Sequence, residues 1–169
     1  MRSILKVNWD SDLPIYSISQ SELQKKGINS LLLDVDGTIV NGKSNMIPKA
    51  VKNWIIESKK LFSLYLISNN PSKKRIEKIA KDLNLRYKYN ASKPRKKVTL
   101  SAIKEIDREP KNIAIIGDRI FTDIIVGNRC DIKTILVKRL NKDGLPIKFN
   151  LTLTIEKLIS HFIKWKLGL

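Results

Sequence analysis

The sequence has few of the features that mark disulfide-bonded, secreted or membrane-spanning proteins. Its single cysteine, Cys130, excludes a disulfide within the chain, and we expect a small buried apolar residue there rather than a nucleophile. No apolar run approaches the roughly 18 residues that span a bilayer. The first ten residues carry charge too early for a secretory signal, so we expect a cytoplasmic protein, either free or peripheral at a membrane surface.

Acidic residues are also scarce. Asp and Glu number 16 against 33 Lys and Arg, which gives a formal net charge of +17. A field of this size attracts polyanions such as nucleic acid, anionic lipid or phosphorylated substrates. A general bias toward lysine explains part of this charge, but it does not explain the basic cluster between Lys73 and Lys97, where only Glu77 and Asp82 oppose the cations.

Short apolar runs alternate with amphipathic patterns along the chain. The predicted strands are 30–36, 63–69, 84–89, 113–117 and 133–138. The predicted helices between and before them are 19–26, 48–60, 72–83, 95–106 and 119–128. This alternation predicts an α/β fold, a three-layer Rossmann-like parallel sheet with helices on both faces. We expect one domain over residues 1–169, with its ligand site along the edge where the strands end.

The few acids concentrate where predicted strands end. Asp34 and Asp36 follow an apolar run and precede Gly37, and Asp118 and Asp123 follow the run at 113–117. Charged side chains are rarely buried without partners, so acids after core strands suggest a metal site or a reacting group. A strand that simply ends in an Asp-Gly turn is the alternative for 34–37, and this segment alone leaves both interpretations open.

Two further strand ends carry groups that suit phosphate binding. Ser68, Asn69 and Asn70 follow the predicted strand at 63–69, and helix capping is the simpler role for each of them taken alone. Lys93 stands before a proline, which is weak evidence by itself in a lysine-rich chain. Carboxylates at the same edge are the ligands that Mg²⁺ prefers, with open positions left for a substrate phosphate.

Four motifs follow one another along the chain: Asp34 with Asp36, then Ser68, then Lys93, then Asp118 with Asp123. In this order they resemble the motifs of the haloacid dehalogenase (HAD) superfamily of phosphotransferases. Within it the chain is similar to YqeG-type phosphatases, which are related to the phosphatidylglycerophosphate phosphatases of phospholipid biosynthesis. The resemblance covers about residues 15–140 and includes Ala91–Pro94 and Gly127–Arg129. It implies an HAD-like domain and a phosphoric monoester hydrolase with Mg²⁺ as its cofactor.

The resemblance also implies residue roles. Asp34 would be the nucleophile that forms an aspartyl-phosphate. Asp36 would be the general acid and base, with its backbone carbonyl on the metal. Asp118 would ligate Mg²⁺ directly, and Asp123 would ligate the ion or orient its water shell, so the implied metal set is Asp34, Asp36, Asp118 and Asp123.

Three residues would bind the substrate phosphate in the same resemblance. Ser68 and the amide of Asn69 would hold phosphoryl oxygens. Lys93 would neutralise charge between the nucleophile and the phosphate. These roles suit phosphoryl transfer, which depends mainly on positioning and charge neutralisation.

The intervals between the motifs are too short for a large cap domain. An uncapped site suits a large substrate such as a lipid headgroup, although an oligomer whose partner subunit supplies the lid is an alternative. The C-terminal segment at about 152–167 predicts an amphipathic helix whose apolar face consists of Ile155, Leu158, Ile159, Phe162 and Ile163. Such a helix either packs on the domain core or lies on an anionic membrane. His161 lies on its polar side and is expected at the surface.

Three functions therefore compete. The first is a Mg²⁺-dependent phosphatase for phosphatidylglycerophosphate or a similar anionic phosphate ester. The second keeps the chemistry and changes the substrate to a soluble phosphomonoester, such as a sugar phosphate or a nucleotide. The third is a nucleic-acid-binding protein on a phosphatase scaffold, which the charge permits but which no stacking row of aromatic residues supports.

Overall fold

The computed structural model describes residues 4–42 and 44–167. Its strands are β1 (Trp9–Asp10), β2 (Ser30–Leu33), β3 (Ser63–Ile67), β4 (Arg86–Lys88), β5 (Ile113–Gly117) and β6 (Lys133–Leu136). Its α-helices are α1 (Gln20–Lys25), α2 (Lys49–Ser58), α3 (Lys73–Leu83), α4 (Lys97–Ile106), α5 (Ile125–Arg129) and α6 (Leu151–Leu167). Short 3-10 turns lie at Ile15–Ser17 and Pro110–Asn112, and a π-helical turn at Ile120–Ile124 leads into α5.

All six strands form one parallel sheet in the order β1-β6-β5-β2-β3-β4. Leu33 at the end of β2 pairs with Leu66 on β3 and with Ile116 on β5. The chain proceeds outward from β2 in one direction and from β5 in the other, so the strand order reverses between these two neighbours. In parallel α/β sheets such a switch point opens a crevice at the carboxyl ends of the strands, where ligands bind.

The central strands are apolar on both faces because helices cover both faces. Leu31 and Leu33 pack in the core cluster that contains Ile55 of α2. Leu32, which points the other way, packs in a second cluster with Ile103 of α4 and Val126 near the start of α5. The three-layer α/β fold predicted from the sequence is therefore confirmed.

The observed strands are shorter than the predicted runs at the site edge. β2 ends at Leu33 and β3 at Ile67, so Asp34, Asp36 and Ser68 lie in the loops that follow. The chain passes from β2 to α2 through residues 34–48 and from β3 to Lys93 through α3 and β4. The described residues of neither interval form a cap domain.

Helix α6 packs with a different face from the one its hydrophobic pattern predicts. Glu156 and Ser160 are buried, whereas Leu158 and Phe162 are exposed. Of the two alternatives for the apolar face, packing on the core is therefore wrong for most of that face. Ile163 is the exception, since it is partly buried against a small cluster around Ile120–Ile124. Among the described residues, none of the helices combines the length and hydropathy that a membrane-crossing segment requires.

Candidate active site

A pocket at the carboxyl edge of β2, β3 and β5 brings the predicted site residues together. Its volume is about 140 Å³, enough for a phosphate group and an ion but well below the roughly 300 Å³ at which ligand-sized pockets begin. The lining residues are Asp34, Asp36, Ser68, Asn69, Lys93, Asp118, Arg119, Thr122, Asp123 and Arg139. All seven residues expected from the sequence line this one pocket.

Lys93 lies at the centre of the pocket floor. Its Nζ donates to Asp34 Oδ1 at 2.6 Å, to Asp123 Oδ1 at 2.6 Å and to the carbonyl of Ile67 at 3.0 Å. Burial lowers the pKa of this amine, but the carboxylates of Asp123 and Asp34 outweigh burial and raise the pKa above its ordinary value. Lys93 is therefore a fixed positive charge with three hydrogen bonds.

Asn69 positions the backbone of Lys93. Its side-chain Oδ1 accepts from the Lys93 N–H at 2.7 Å, and its Nδ2 donates to the Lys93 carbonyl at 2.9 Å. The side-chain amide of Asn69 is thus engaged by Lys93, and the expectation that an amide of Asn69 holds a phosphoryl oxygen stays a prediction. Ser68 is buried, and its Oγ accepts from the N–H of Asn70 at 3.1 Å.

Asp34, Asp118 and Asp123 form a buried three-carboxylate cluster. One oxygen of each lies within 4.8 Å of the others. Burial raises the pKa of Asp34 to about 6, because the opposing effect of Lys93 is incomplete. Burial, with the nearby charges of Asp34 and Asp123, raises the pKa of Asp118 to about 8. Lys93 and Arg139 thus do not fully compensate the burial and mutual repulsion of the three carboxylates.

The donor set of this cluster fits a divalent cation. Asp118 Oδ2 accepts from Arg139 Nη1 at 2.9 Å, whereas its buried Oδ1 has no hydrogen-bond partner among the described residues. Buried polar atoms without a partner are rare, and an ion is one of the groups that satisfies them. Three carboxylates with room beside them match the oxygen coordination of Mg²⁺.

A glycine allows Asp123 to approach the end of β5. A Cβ at Gly117 would lie 2.3 Å from the Asp123 Cγ, closer than side chains pack. Asp123 Oδ2 accepts from the backbone N–H of Arg119 at 3.2 Å and from the hydroxyl of Thr122 at 3.2 Å. The π-helical turn and Gly117 together therefore fix Asp123 against Lys93.

Asp36 lines the pocket but stands apart from the three-carboxylate cluster. Arg75 Nη1 donates to its Oδ1 at 2.6 Å, and Asn70 Nδ2 donates to its Oδ2 at 3.0 Å. The carboxylate is therefore oriented by residues that follow β3. The metal contact predicted for Asp36 was through its backbone carbonyl, so this orientation leaves that prediction open.

Sequence reasoning missed three cations of the site. Arg139 comes after β6, which is the fifth of the predicted strands. The residues at the end of that strand were not considered as site residues. Arg75 could not be distinguished from its neighbours in the basic cluster. Arg119 lies between two predicted metal ligands, but its partner, Glu156 on α6, is distant in sequence.

Comparisons with known proteins agree with this geometry. Residues 90–144 match the family model described as HAD-hydrolase-like. The chain is 28% identical to the protein of Bacillus subtilis (strain 168) named "Probable phosphatase YqeG", over 90% of this chain and 88% of the relative. The resemblance predicted from the motifs is thereby confirmed.

Solved structures support the fold. The cobalt-bound deoxy-D-mannose-octulosonate 8-phosphate phosphatase (YrbI) of Haemophilus influenzae superposes with a TM-score of 0.53, at 14% identity, over 85% of this chain and 91% of that one. YfnB of Bacillus subtilis, bound to magnesium, superposes with a TM-score of 0.53, at 14% identity, over 71% of this chain and 90% of that one. At these identities the likeness shows a shared architecture.

Proposed function

We propose that this chain, an HAD-like phosphoric monoester hydrolase, cleaves its substrate through an aspartyl-phosphate on Asp34 with the help of Mg²⁺. The observation that carries the proposal is the position of Lys93, whose ammonium lies 2.6 Å from both Asp34 and Asp123 at the switch point of the sheet. Such a group neutralises charge where a phosphate dianion would approach a carboxylate. The family relationship supports the same assignment.

In the first step, a carboxylate oxygen of Asp34 attacks phosphorus, and the bond between phosphorus and the ester oxygen breaks. The leaving alkoxide takes a proton from Asp36 and departs as the alcohol. In the second step, water attacks phosphorus of the aspartyl-phosphate and gives its proton to Asp36. Inorganic phosphate leaves, and the carboxylate of Asp34 is restored.

Asp34, Asp118 and Asp123 would hold the ion, together with the carbonyl of Asp36. When bound, Mg²⁺ supplies charge neutralisation for the carboxylates and for the phosphate. From the floor of the pocket, Lys93 would neutralise charge between Asp34 and the phosphate. Ser68 would donate its hydroxyl to them from the end of β3.

The substrate we favour is an anionic lipid phosphate, and phosphatidylglycerophosphate specifically. Three observations support this choice: the similarity to YqeG-type proteins, the net charge of +17 and an uncapped pocket that is large enough for the phosphate end alone. A small open pocket allows the bulk of a lipid to remain outside the protein.

A soluble phosphomonoester is the second candidate. Every residue that lines the pocket is polar or charged, so the pocket itself recognises phosphate and offers no apolar wall to a particular ester. The Haemophilus influenzae structure of the same fold is a sugar-phosphate phosphatase by its name.

A substrate comparison tests both candidates. Phosphate release would be measured with Mg²⁺ from phosphatidylglycerophosphate in vesicles, from soluble sugar phosphates and from nucleotides, for wild type and Asp34→Asn. Preferential release from the lipid supports the first candidate, and comparable turnover of soluble esters supports the second. Equal activity of wild type and Asp34→Asn would contradict the aspartyl-phosphate mechanism for both.

A further inference from the structure

Helix α6 carries a stripe of large apolar side chains on its outward side. The stripe consists of Leu151, Ile155, Leu158, Phe162 and Trp165, each between 45% and 74% exposed. The spacing alternates between four and three residues, which keeps all five on one side of the helix. Phe162 and Trp165 contact each other with ring centroids 5.9 Å apart. We call this set the outer stripe.

Polar anchoring on the opposite side keeps the outer stripe facing outward. Glu156 Oε2 accepts from the N–H of Ile120 at 2.7 Å, and its Oε1 accepts from Arg119 Nη2 at 2.9 Å. Glu156 is 2% exposed. Rotating α6 to bury the outer stripe would remove both partners from a buried carboxylate, which is strongly unfavourable. The exposure of the stripe is thus built into the packing of the helix.

The helix that carries the outer stripe has a net positive charge. Glu156 is the sole acid in the sequence of α6 and is paired with Arg119, and Lys157 is paired with Asp10 at 2.8 Å. The sequence of the helix adds two further cations, Lys164 and Lys166. Phe149, just before the helix, is 68% exposed and adds to the apolar surface. A large contiguous apolar patch beside cations is unusual for a free surface and marks an interaction site.

We infer that the outer stripe docks on an anionic lipid surface. An apolar helix face with an aromatic pair and flanking lysines matches the chemistry of a membrane interface, where the apolar side chains enter the headgroup boundary and the cations meet anionic lipid. A second copy of the chain fits less well, because each copy carries a net charge of +17 and two copies repel. The inference rests on the proposed function in that it names the surface on which the lipid substrate resides.

The position of α6 relative to the active site strengthens the inference. Arg119, which pairs with Glu156, also lines the catalytic pocket. A second cavity, of about 140 Å³, shares Arg139 with that pocket and is lined by Lys148, Phe149 and Lys157. This basic cavity lies between the start of α6 and the catalytic pocket. The start of α6 therefore lies close to the catalytic pocket.

Vesicle co-sedimentation of the full chain tests the inference. Vesicles of phosphatidylglycerol and phosphatidylcholine in equal parts would be compared with vesicles of phosphatidylcholine alone, for wild type and Leu158→Asp/Phe162→Asp. The matched control is Met46→Asp/Ile56→Asp, which makes the same charge change at exposed apolar residues away from α6. We expect wild type and the control to bind the anionic vesicles and the α6 variant to lose about 100-fold or more in partition.

Two readouts separate this inference from the catalytic proposal. The α6 variant should keep wild-type turnover of a soluble phosphomonoester, and Asp34→Asn should lose turnover while still sedimenting with the vesicles. Vesicle addition should shift the tryptophan emission to shorter wavelength in wild type but not in Trp165→Phe.

Two results would overturn the inference. One is equal sedimentation of the α6 variant and its control. The other is a wild-type dimer in solution that Leu158→Asp/Phe162→Asp converts to a monomer without changing vesicle binding, since this would assign the outer stripe to a second copy.

Discussion

Lys93 and Asp34 form an ion pair, 2.6 Å from Nζ to Oδ1, in a pocket where the lysine side chain is 1% exposed. The lysine has a second bond of the same length to Asp123, so one ammonium joins the carboxylate after β2 to the π-helical turn after β5. The two sides of the switch point are thereby connected by a single charge. Its removal leaves two buried carboxylates without their counter-ion.

We therefore expect Lys93→Met to lower kcat by about 100-fold or more, since electrostatic stabilisation by one positioned donor is worth roughly that factor. The free energy of unfolding should fall by about 3 kcal/mol, because the partners of a broken buried ion pair lose their compensation. Steady-state kinetics and urea unfolding would measure the two effects. Lys96→Met, at an exposed position nearby, is the control. A Lys93→Met protein with wild-type kcat would contradict the role.

The second prediction concerns pH. Burial raises the pKa of Asp34 to about 6 and that of Asp118 to about 8, well above their value of 3.8 in the unfolded chain. Between the unfolded pKa of 3.8 and the raised pKa values of about 6 and about 8, the metal-free folded protein retains protons that the unfolded chain has released. Its free energy of unfolding should therefore decrease as pH rises through this window.

Mg²⁺ should offset this loss because it replaces those protons. The rise in Tm on adding Mg²⁺ should be larger near pH 8 than near pH 5, where protons compete for the same oxygens. At a Mg²⁺ concentration 100-fold above Kd, the stabilisation is about 2.7 kcal/mol. Thermal unfolding with and without Mg²⁺ at both pH values measures it. An equal shift at both would show that these carboxylates do not bind the ion.

The third prediction concerns Gly117, which leaves room for the side chain of Asp123. In Gly117→Ala, the new Cβ would meet the Asp123 side chain at 2.3 Å, so Asp123 must move from its present position. We expect the affinity for Mg²⁺ to fall by about 10–100-fold, which is typical when the orientation of metal ligands is disturbed. Isothermal titration with Mg²⁺ would measure this loss. Gly42→Ala is the control, since its nearest contact would be 3.6 Å, and it should bind Mg²⁺ normally.

The fold could be predicted because the central strands are continuous apolar runs and the helices between them are strongly periodic. β1 was missed because it has two residues, Trp9 and Asp10, too few for any pattern. The acids of the site were found because Asp34 and Asp118 follow buried strands directly. An acid directly after an apolar run can be recognised from the sequence alone, without knowledge of the tertiary structure.

The partners of these acids were not predicted. Arg139 contacts Asp118 from a position 21 residues later in the chain. The orientation of α6 also escaped prediction. Its apolar periodicity left two alternatives, packing on the core or lying on a membrane, and the buried carboxylate of Glu156 sets the orientation through its bonds to Arg119 and Ile120. Long-range polar contacts of this kind leave no local pattern.

The last prediction concerns Arg75, which orients Asp36. Its Nη1 lies 2.6 Å from Asp36 Oδ1, and its Nη2 donates to the carbonyl of Ser44 at 2.8 Å, so the guanidinium fixes the carboxylate to a loop. If Asp36 gives a proton to the leaving alkoxide, Arg75→Ala should slow the hydrolysis of alkyl phosphates by about 10-fold or more, as part of the 10²–10⁴ that general acids contribute.

The leaving group separates this positioning role from a structural one. p-Nitrophenolate departs without needing a proton, so Arg75→Ala should slow p-nitrophenyl phosphate hydrolysis much less than alkyl phosphate hydrolysis. Loss of structure would slow both alike. Lys74→Ala, at an exposed position on the same helix, should change neither rate. Equal slowing of the two substrates by Arg75→Ala would mean that Arg75 supports the fold around Asp36 rather than its proton transfer.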